Sequence, residues 1–489
     1  MSLTNPPTGT SGPGSGNAAG GGSGVGSSLR GQQTLKRNAQ AAFEDNHERA
    51  TGYTPKARVT ERYRIIGFIS SGTYGRVYKA ISRVGPNGTG IAVIKTSSGP
   101  VSSTNTGGAE VAIKKFKPDK EGEQISYTGI SQSAIREMSL CSELRHGNVI
   151  RLVEIILEDK CIFMVFEYAE HDLLQIIHHH TQQPRHPIPP ATIKSIMFQL
   201  LNGCQYLHTN WVLHRDLKPA NIMVTSSGEV KIGDLGLARR FDKPLHSLFS
   251  GDKVVVTIWY RAPELILGSY HYTPAIDLWA VGCIFAELLS LRPIFKGEEA
   301  KMDSKKTVPF QRNQMQKIVE IMGMPTKDRW PLLPTMPEYS QLSTLQSAMH
   351  HGHHSSHHHH SHHRYPTTSN LEKWYSNTVQ NNSGAGVAAN GPGGAPALAS
   401  LGQEGYKLLA GLLEYDPVKR LDAAQALQTP FFSTGDKVSA NAFEGLKADY
   451  PHRRVSQDDN DIRTSSLPGT KRSALQDDSL LRPAKRVKE

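Results

Sequence analysis

The chain has 489 residues and a formal net charge of +11 at pH 7, and its length suggests two to three domains. Its four cysteines, Cys141, Cys161, Cys204 and Cys283, have no paired spacing, which argues against a disulfide scaffold and a zinc site. No apolar run reaches membrane-spanning length, and the N-terminus lacks the charged start and apolar core of a signal peptide.

The N-terminal segment differs in composition from the rest of the chain. Its first 29 residues contain no charged side chain and are rich in Gly, Ser, Asn and Thr. Such a segment cannot bury enough apolar surface to offset the entropy lost on ordering. We therefore predict a disordered tail over residues 1–50.

A glycine-rich run, Ile-Ser-Ser-Gly-Thr-Tyr-Gly-Arg-Val, occupies residues 69–77 between two β-like segments. Glycine has no Cβ, so backbone N–H groups can approach a phosphate closely at these positions. Ser70 takes the first glycine position of the G-x-G-x-x-G-x-V pattern, so two glycines of three are present. By itself the run also fits a glycine turn in an ordinary hairpin.

Two β-like segments after this run end in a lysine, at Lys95 and at Lys114. The surroundings of Lys95 are rich in Gly, Ser, Asn and Thr, which is typical of a loop inserted in a hairpin. Lys114 is followed instead by a predicted helix that carries Glu137. We therefore predict that Lys114 and Glu137 form an ion pair, although a Lys–Glu pair taken alone is usually a solvated surface pair.

The most informative segment is residues 214–221, His-Arg-Asp-Leu-Lys-Pro-Ala-Asn, which is followed by Asp234-Leu235-Gly236. Phosphoryl transfer needs a carboxylate beside the attacking hydroxyl and oxygen ligands for the metal that bridges the nucleotide phosphates. Asp216 suits the first role. Asn221 and Asp234 suit the second, because Mg²⁺ prefers hard oxygen ligands.

Together these motifs resemble those of the eukaryotic protein kinases. Residues 133–137, Ser-Ala-Ile-Arg-Glu, resemble the signature helix of the cyclin-dependent kinases, whose orientation is set by a bound cyclin. The runs 128–138 and 116–123 are most similar to the fungal form of the Mediator-associated cyclin C-dependent kinase, the cyclin-dependent kinase 8 type, and Leu235 in place of the usual Phe fits that branch.

The resemblance covers about residues 64–432 and implies an α+β, bilobal protein kinase fold in a domain of about residues 63–432. A small β-rich lobe would span about residues 63–166, and a large helical lobe about 170–432.

The resemblance also implies ATP and Mg²⁺ as cofactors and assigns the catalytic roles. Asp216 would orient and deprotonate the substrate hydroxyl, and Lys218 would stabilise charge on the transferred group. Lys114, paired with Glu137, would hold the α- and β-phosphates. Asn221 and Asp234 would hold Mg²⁺.

The nucleotide site implied by the resemblance comprises the glycine-rich run, the hinge and their flanks: Ile69, Ser70, Ser71, Gly72, Thr73, Tyr74, Gly75, Arg76, Val77, Ala112, Lys114, Phe166, Glu167, Tyr168, Ala169, Asp172 and Met223. Asp172 would bind the ribose. Met223, with Val77 and Ala112, would sandwich the adenine ring, and Phe166 would guard the back pocket. Plain core packing is the alternative for Met223 and Phe166.

Three downstream positions resemble structural residues of the family. Glu264 would be anchored by Arg420, and Asp277 would brace the backbone of the catalytic segment. Residues 259–261, Trp-Tyr-Arg, mark the wider group of proline-directed kinases. The resemblance therefore implies Ser/Thr-Pro substrates.

The activation segment departs from many cyclin-dependent kinases. Arg136, Arg215 and Arg239 fill the three positions that usually bind a phosphothreonine, but Asp252 occupies the place of that threonine. A carboxylate carries less negative charge than a phosphate and fewer acceptor oxygens. Either a cyclin lends a second carboxylate, or Ser250 is phosphorylated, or activity is modest. Asp252 pointing into solvent is the simpler alternative.

Two polar segments complete the chain. Residues 340–400 contain ten histidines between positions 350 and 363, and we predict a solvated low-complexity insertion there rather than a metal site. Residues 433–489 form a predicted C-terminal tail with two basic clusters, Lys471-Arg472 and Lys485-Arg486-Val487-Lys488. Their spacing resembles a bipartite nuclear import signal, although basic tails are often merely solvated.

The interpretation is a nuclear cyclin-dependent serine/threonine kinase. The resemblance implies a C-type cyclin and other Mediator kinase-module subunits as partners, and substrates in the RNA polymerase II tail and transcription factors, in the regulation, including repression, of transcription. No base-reading module is visible, so we expect neither direct nucleic-acid nor membrane binding. A docking scaffold is the alternative, but it would tolerate loss of the acid or metal ligands, and none is lost. A mitogen-activated kinase would need Thr-x-Tyr, and residues 243–256 contain no threonine or tyrosine.

Overall fold

A computed structural model describes the following parts of the chain: residues 58–71, 75–83, 108–116, 132–158, 161–182, 184–241, 257–269, 271, 273–300, 309–345, 365–381, 398–446 and 449–457. All of them lie within one compact unit, Arg58–Glu489. The predicted N-terminal tail, the histidine tract and the basic clusters fall outside the described residues.

The small lobe is built on an antiparallel five-stranded sheet. In spatial order its strands are β1 (Tyr63–Ser71), β2 (Gly75–Ser82), β3 (Glu110–Phe116), β5 (Cys161–Glu167) and β4 (Leu152–Glu158). A short helix, α1 (Val59–Arg62), precedes the sheet, and α2 (Gln132–Glu143) packs beside β4.

Alternation along β3 decides which way its functional side chains point. Val111 and Ile113 are buried in the small-lobe core with Tyr63 and Val165, and successive side chains of a strand point to opposite faces. Ala112 and Lys114 therefore share the other face of β3. This places Lys114 beside the cleft between the lobes.

The large lobe is mainly helical. Its helices are α3 (Leu173–Thr181), α4 (Pro190–Thr209), α5 (Pro263–Ile266), α6 (Ala275–Ser290), α7 (Arg312–Met322), α8 (Leu371–Asn381), α9 (Gly402–Leu412), α10 (Ala423–Leu427) and α11 (Pro430–Ser433). Helix α6 is mostly apolar, with Asp277 and Glu287 as its acidic residues, and it is buried from Ile276 to Ser290, as expected of a helix at the centre of a domain. No helix in the described ranges is long and apolar enough to cross a membrane.

Short strands carry the functional loops of the large lobe. Strands β6 (His171–Asp172), β8 (Ile222–Val224) and β9 (Val230–Ile232) form one sheet, and β7 (Val212–Leu213) pairs with β10 (Arg239–Arg240). A small β-rich lobe joined to a larger helical lobe confirms the predicted α+β bilobal fold.

The predicted low-complexity insertion at residues 340–400 was drawn too wide. Helix α8 lies inside that range, and its residues Leu371, Tyr375 and Val379 are buried against the large lobe. Three apolar positions at helical spacing are enough to dock a helix. The polar segments on either side of it masked this signal in the sequence.

The packed chain also extends beyond the predicted end of the kinase domain at residue 432. Ala442 and Tyr450 are buried, the backbone N–H of Ala442 donates to Gly228 O, and Ser456 forms a β-bridge with Phe68. Described residues of the predicted tail therefore contact both lobes. The domain boundary itself stays a prediction.

Candidate active site

The predicted ion pair of the small lobe is present. Lys114 Nζ donates to both carboxylate oxygens of Glu137, at 2.7 and 2.8 Å, and to Asp234 Oδ1 at 2.9 Å. Only 12% of the Lys114 side chain and 1% of that of Glu137 are exposed, so this is not a solvated surface pair. The structure thus brings β3, α2 and the Asp234 loop together at one ammonium group.

Electrostatics at this point favour the charged forms of Lys114 and Asp234, whereas burial raises the pKa of Glu137. Burial alone would lower the pKa of Lys114, but the carboxylates of Asp234 and Glu137 outweigh it and raise that pKa above its ordinary value. In return, the Lys114 ammonium lowers the pKa of Asp234 to about 2. At neutral pH the site holds an ionised Asp234 beside a cationic lysine. Lys95, the competing lysine, lies outside the described residues.

A second cluster surrounds Asp216. Lys218 Nζ donates to Asp216 Oδ2 at 2.7 Å and to Thr257 Oγ1 at 3.1 Å. The Thr257 N–H donates to Asp216 Oδ1 at 3.2 Å, and Asn221 Nδ2 donates to the backbone oxygen of Asp216 at 2.8 Å. Asp216 is therefore fixed by neighbours from two separate segments and presents an oriented carboxylate at the cleft.

Hydrogen bonds to the side chain of Asp277 hold the backbone of the segment that carries Asp216. Asp277 on α6 accepts hydrogen bonds from the backbone N–H groups of His214 and Arg215, each at 2.9 Å, and from His208 Nε2. Burial works against ionisation, yet the histidines and backbone donors hold the pKa of Asp277 below its ordinary value. Arg215 has a φ of +66°, a strained conformation for a non-glycine residue that surrounding contacts must maintain.

A buried ion pair joins helix α5 to the segment that precedes α10. Arg420 donates to both oxygens of Glu264, at 2.7 and 3.0 Å, and its guanidinium lies 5.2 Å from the centroid of the Trp279 ring. The predicted anchoring of Glu264 by Arg420 is therefore observed.

Asn221 and Asp234 have the chemistry that a hard divalent cation requires. The amide nitrogen of Asn221 is engaged with Asp216, which leaves its amide oxygen as the ligand atom. The side chain of Asp234 is 47% exposed, and one carboxylate oxygen accepts from Lys114. An amide oxygen and an ionised carboxylate fit Mg²⁺.

The described residues among those predicted to bind the nucleotide lie on β1, β2, β3, β5, the hinge, β6 and β8. Cross-strand pairing sets Val77 opposite Lys114, and Ala112 opposite Phe166. Asp172 caps the N-terminus of α3, where its Oδ1 accepts from the Gln175 N–H. Val77, Ala112, Lys114 and Phe166 therefore share one face of the small-lobe sheet, and their contacts with a nucleotide stay a prediction.

Part of the glycine-rich run is described. Ile69 is buried, Ser70 and Ser71 end β1, and Gly75, Arg76 and Val77 begin β2, whereas Gly72, Thr73 and Tyr74 lie outside the described residues. A Cβ at Gly75 would come within 2.3 Å of Lys115 O, so only glycine fits at this turn of the sheet.

The hinge follows β5. The Glu167 carboxylate accepts from the Arg151 N–H at 2.8 Å, and the Lys79 ammonium lies 4.3 Å from the centroid of the Tyr168 ring. Ala169 is buried. Glu167 also pairs with Lys231 on β9, whose Nζ lies 3.3 Å from Oε1, so its side chain is held by both lobes, and the adenine contacts of the hinge backbone stay a prediction.

The structure describes the three arginines of the activation-segment hypothesis, but Ser250 and Asp252 lie outside the described residues. Arg215 is fully buried and its Nε donates to Leu237 O at 2.8 Å. Arg239 pairs with Leu213 in the sheet of β7 and β10, and Arg136 lies on α2 one residue before Glu137. A shared anion site for the three arginines stays a prediction.

Two site residues were missed from the sequence. Thr257 contacts Asp216 and Lys218, and its position two residues before Trp259 was the signal that could have found it. Arg453 reaches Asp172 with its Nε 3.5 Å from Oδ2. It lies in a polar segment with no motif, so nothing in the sequence indicated it.

Comparison with known proteins gives a consistent result. A family model described as "Protein kinase domain" matches residues 95–432. The chain is 79% identical over 461 residues to the serine/threonine-protein kinase SSN3 of Gibberella moniliformis, covering 92% of this chain and 96% of the relative. It is 65% identical over 528 residues to that of Pyricularia oryzae, covering 100% of both.

Among solved structures, the chain is similar to one described as the yeast RNA Pol II CTD kinase CTDK-1 complex. The TM-score is 0.55 at 29% sequence identity, and the match covers 78% of this chain and 96% of that chain.

Proposed function

The chain belongs to the protein kinase family and is a serine/threonine protein kinase, and on that premise we propose that it is a cyclin-dependent kinase acting on Ser/Thr-Pro sites of the transcription machinery. Its substrates would be the RNA polymerase II C-terminal tail and transcription factors. It would act in the nucleus with a C-type cyclin and the other subunits of a Mediator kinase module.

Asp216 is the group that would act on the substrate hydroxyl. Its carboxylate is held by Lys218, Thr257 and Asn221, so an incoming serine or threonine would meet an oriented acceptor rather than a mobile one. Asp216 orients the hydroxyl and takes its proton as the oxygen bonds to the γ-phosphorus, while the bond from that phosphorus to the β,γ-bridging oxygen breaks and ADP leaves. Lys218 is close enough to stabilise the negative charge on the transferred group.

ATP binds in the cleft with its adenine between Val77, Ala112 and Met223. Lys114, fixed by Glu137, holds the α- and β-phosphates. Asn221 and Asp234 would hold Mg²⁺, which supplies charge neutralisation at the β- and γ-phosphates when bound. The depressed pKa of Asp234 keeps that ligand ionised throughout the physiological range.

Specificity for a proline after the target residue rests on residues 259–261. Trp259 Nε1 donates to Gly297 O at 2.7 Å, and the Tyr260 hydroxyl donates to Glu287 at 2.7 Å. This turn lies directly after Thr257 and therefore beside the carboxylate of Asp216. Rigid walls next to the reacting hydroxyl suit recognition of an adjacent proline ring, whose nitrogen needs no hydrogen-bond acceptor.

A cyclin partner is supported by the outer face of α2. Ile135 is 49% exposed and lies two residues before Glu137. Ile135 lies on the helix that carries Glu137 but on a different face of it, so a protein that packed on Ile135 would set the position of the helix and of Glu137. The solved neighbour, named as an RNA Pol II CTD kinase complex, supports the same class of substrate.

Activation would need a cyclin but no phosphate, because Asp252 replaces the usual phosphothreonine. Phosphatase treatment of the cyclin-bound kinase should then leave its activity intact, and Ser250→Ala should be active. Loss of activity in either preparation would show that a phosphate is required.

The observation that carries the proposal is the triple contact of Lys114 with Glu137 and Asp234, because it joins the lysine of β3, the helix α2 and the loop of a proposed metal ligand in one site. The test is to purify the native chain with its partners, identify them by mass spectrometry, and assay matched Ser-Pro and Ser-Ala peptides. A co-purified cyclin and preference for Ser-Pro are expected. Equal rates on both peptides would contradict the substrate class, and an inactive complex would favour the scaffold alternative.

A further inference from the structure

Residues 449–457, here called the strap, cross from the large lobe to the small lobe over the hinge. At one end the Tyr450 hydroxyl hydrogen-bonds His180 Nε2 at 2.8 Å. In the middle the Arg453 N–H donates to Glu170 O at 2.7 Å. At the other end Ser456 exchanges two backbone hydrogen bonds with Phe68, at 2.7 and 2.8 Å. The strap is therefore attached to both lobes and to the hinge.

The small lobe is shaped to receive the strap. Strand β1 is an edge strand, and Ser456 covers part of that edge. A Cβ at Gly67 would come within 2.6 Å of Ser456 O and 2.7 Å of the Val455 side chain, so glycine is required for this close approach. Gln457 Nε2 adds a hydrogen bond to Ile66 O at 2.8 Å. The docking site is thus built into the sheet.

The strap places one cation in the cleft. Arg453 Nε lies 3.5 Å from Asp172 Oδ2, and Arg453 Nη1 lies 3.3 Å from Met223 Sδ. The two charged side chains are 14% and 9% exposed. Arg453 therefore touches both the carboxylate assigned to the ribose and the side chain assigned to the adenine.

We propose that Arg453 is a positioning residue for nucleotide binding, which keeps the Asp172 carboxylate oriented to accept the ribose hydroxyls and places a positive charge beside it. The proposal rests on the proposed kinase function and on the ribose assignment of Asp172. Asp172 Oδ1 is already committed to the Gln175 N–H. Oδ2 has more than one lone pair, so it can accept from a ribose hydroxyl while facing the guanidinium.

Arg453 offsets a cost of burial at this carboxylate. Burial raises the pKa of Asp172, and the positive charge of Arg453 opposes that rise. Without Arg453, the buried carboxylate would lose its compensating charge and become a poorer acceptor. The main-chain bond to Glu170 and the Phe68 bridge fix the distance from which Arg453 acts.

The test measures ATP affinity directly, by displacement of a fluorescent ATP analogue from the partner-bound full chain. Arg453→Ala should weaken ATP binding about five- to tenfold, as expected when the lost contact acts on ATP only through Asp172 and counts as one ordinary net contact, with kcat and the peptide KM within about twofold of wild type. Arg453→Lys keeps the charge and should recover part of the loss. Arg454→Ala removes the adjacent, exposed arginine and should leave ATP affinity unchanged.

Two further measurements separate this role from a general structural one. Because the effect acts through the ribose, the penalty for 2′,3′-dideoxy-ATP relative to ATP should shrink in Arg453→Ala. Gly67→Ala, which displaces the strap, should weaken ATP binding in the wild type but add little to Arg453→Ala.

Wild-type ATP affinity in Arg453→Ala, or an undiminished ribose penalty, would overturn this proposal and leave the kinase function standing. Failure of the wild-type protein to bind ATP would instead contradict the proposed function.

Discussion

The Lys114–Glu137 pair gives the sharpest test of the small-lobe geometry. Glu137→Gln keeps the shape and one acceptor oxygen but removes the charge from a side chain that is 1% exposed. Hydrogen bonds to charged groups contribute about 1.5–3 kcal/mol, and each 1.4 kcal/mol is a factor of ten. We therefore expect kcat/KM for a Ser-Pro peptide to fall about 10- to 150-fold.

The same helix supplies a matched control. Glu143 pairs with Arg240 at 3.4 Å, but both side chains are more than half exposed, at 62% and 56%. Surface pairs of this kind contribute little, so Glu143→Gln should leave kcat/KM nearly unchanged. The assay is steady-state phosphorylation by the partner-bound kinase, with a thermal melt of each variant to verify folding. Activity of Glu137→Gln within twofold of wild type, or an equal loss in Glu143→Gln, would refute the reasoning.

Three further predictions use the same preparation. Lys114→Arg should abolish phosphotransfer while Lys95→Arg leaves it almost intact, because arginine changes the donor geometry at a site fixed by two carboxylates; comparable losses would contradict the choice of Lys114. Burial raises the pKa of Glu287 from 4.5 to about 7, so the folded state holds a proton that the unfolded chain releases, and stability falls as pH rises through that window and levels off above it. Glu287→Gln should remove this pH dependence, so the free energy of unfolding of the variant relative to that of the wild type should rise by about 2–3 kcal/mol from pH 5 to pH 8. Thermal melts of both proteins at the two pH values measure this change, and the same pH dependence in both proteins would refute the prediction. Arg420→Ala leaves Glu264 buried without its partner and should cost about 3–5 kcal/mol; an unchanged melting temperature would show that the pair is not buried in solution.

The sequence identified the parts of the site that short motifs encode. Lys114, Glu137, Asp216 and Asn221 were found because phosphoryl transfer restricts the side chains near the phosphates to few types, and their order in the chain is diagnostic. The contact between Lys114 and Glu137 could be anticipated because the first lies on a strand and the second on a helix of regular geometry, whereas Asp216 lies in a loop and its contact with Asn221 was not predicted.

The rest depended on tertiary packing that no local pattern encodes. The Arg453 side chain reaches Asp172 from a polar segment far along the chain. Backbone hydrogen bonds hold that segment in place, and any residue other than proline could make them. Helix α8 was hidden because three buried positions inside a low-complexity range give a weak periodic signal. Gly67 illustrates the same limit, since the need for glycine there arises from the strap that passes over it.

The most direct test of the kinase mechanism is the effect of Asp216→Asn on phosphate transfer. Asparagine preserves the size of the side chain and one acceptor oxygen, which can face Lys218 or Thr257 but not both, and it cannot take the substrate proton. The measurement is the turnover rate of the partner-bound kinase on a Ser-Pro peptide, with ATP affinity and partner retention recorded on the same sample. We predict that the rate falls by about 10² or more while ATP affinity and partners are retained. Turnover near the wild-type rate would contradict the assignment of Asp216 as the catalytic base.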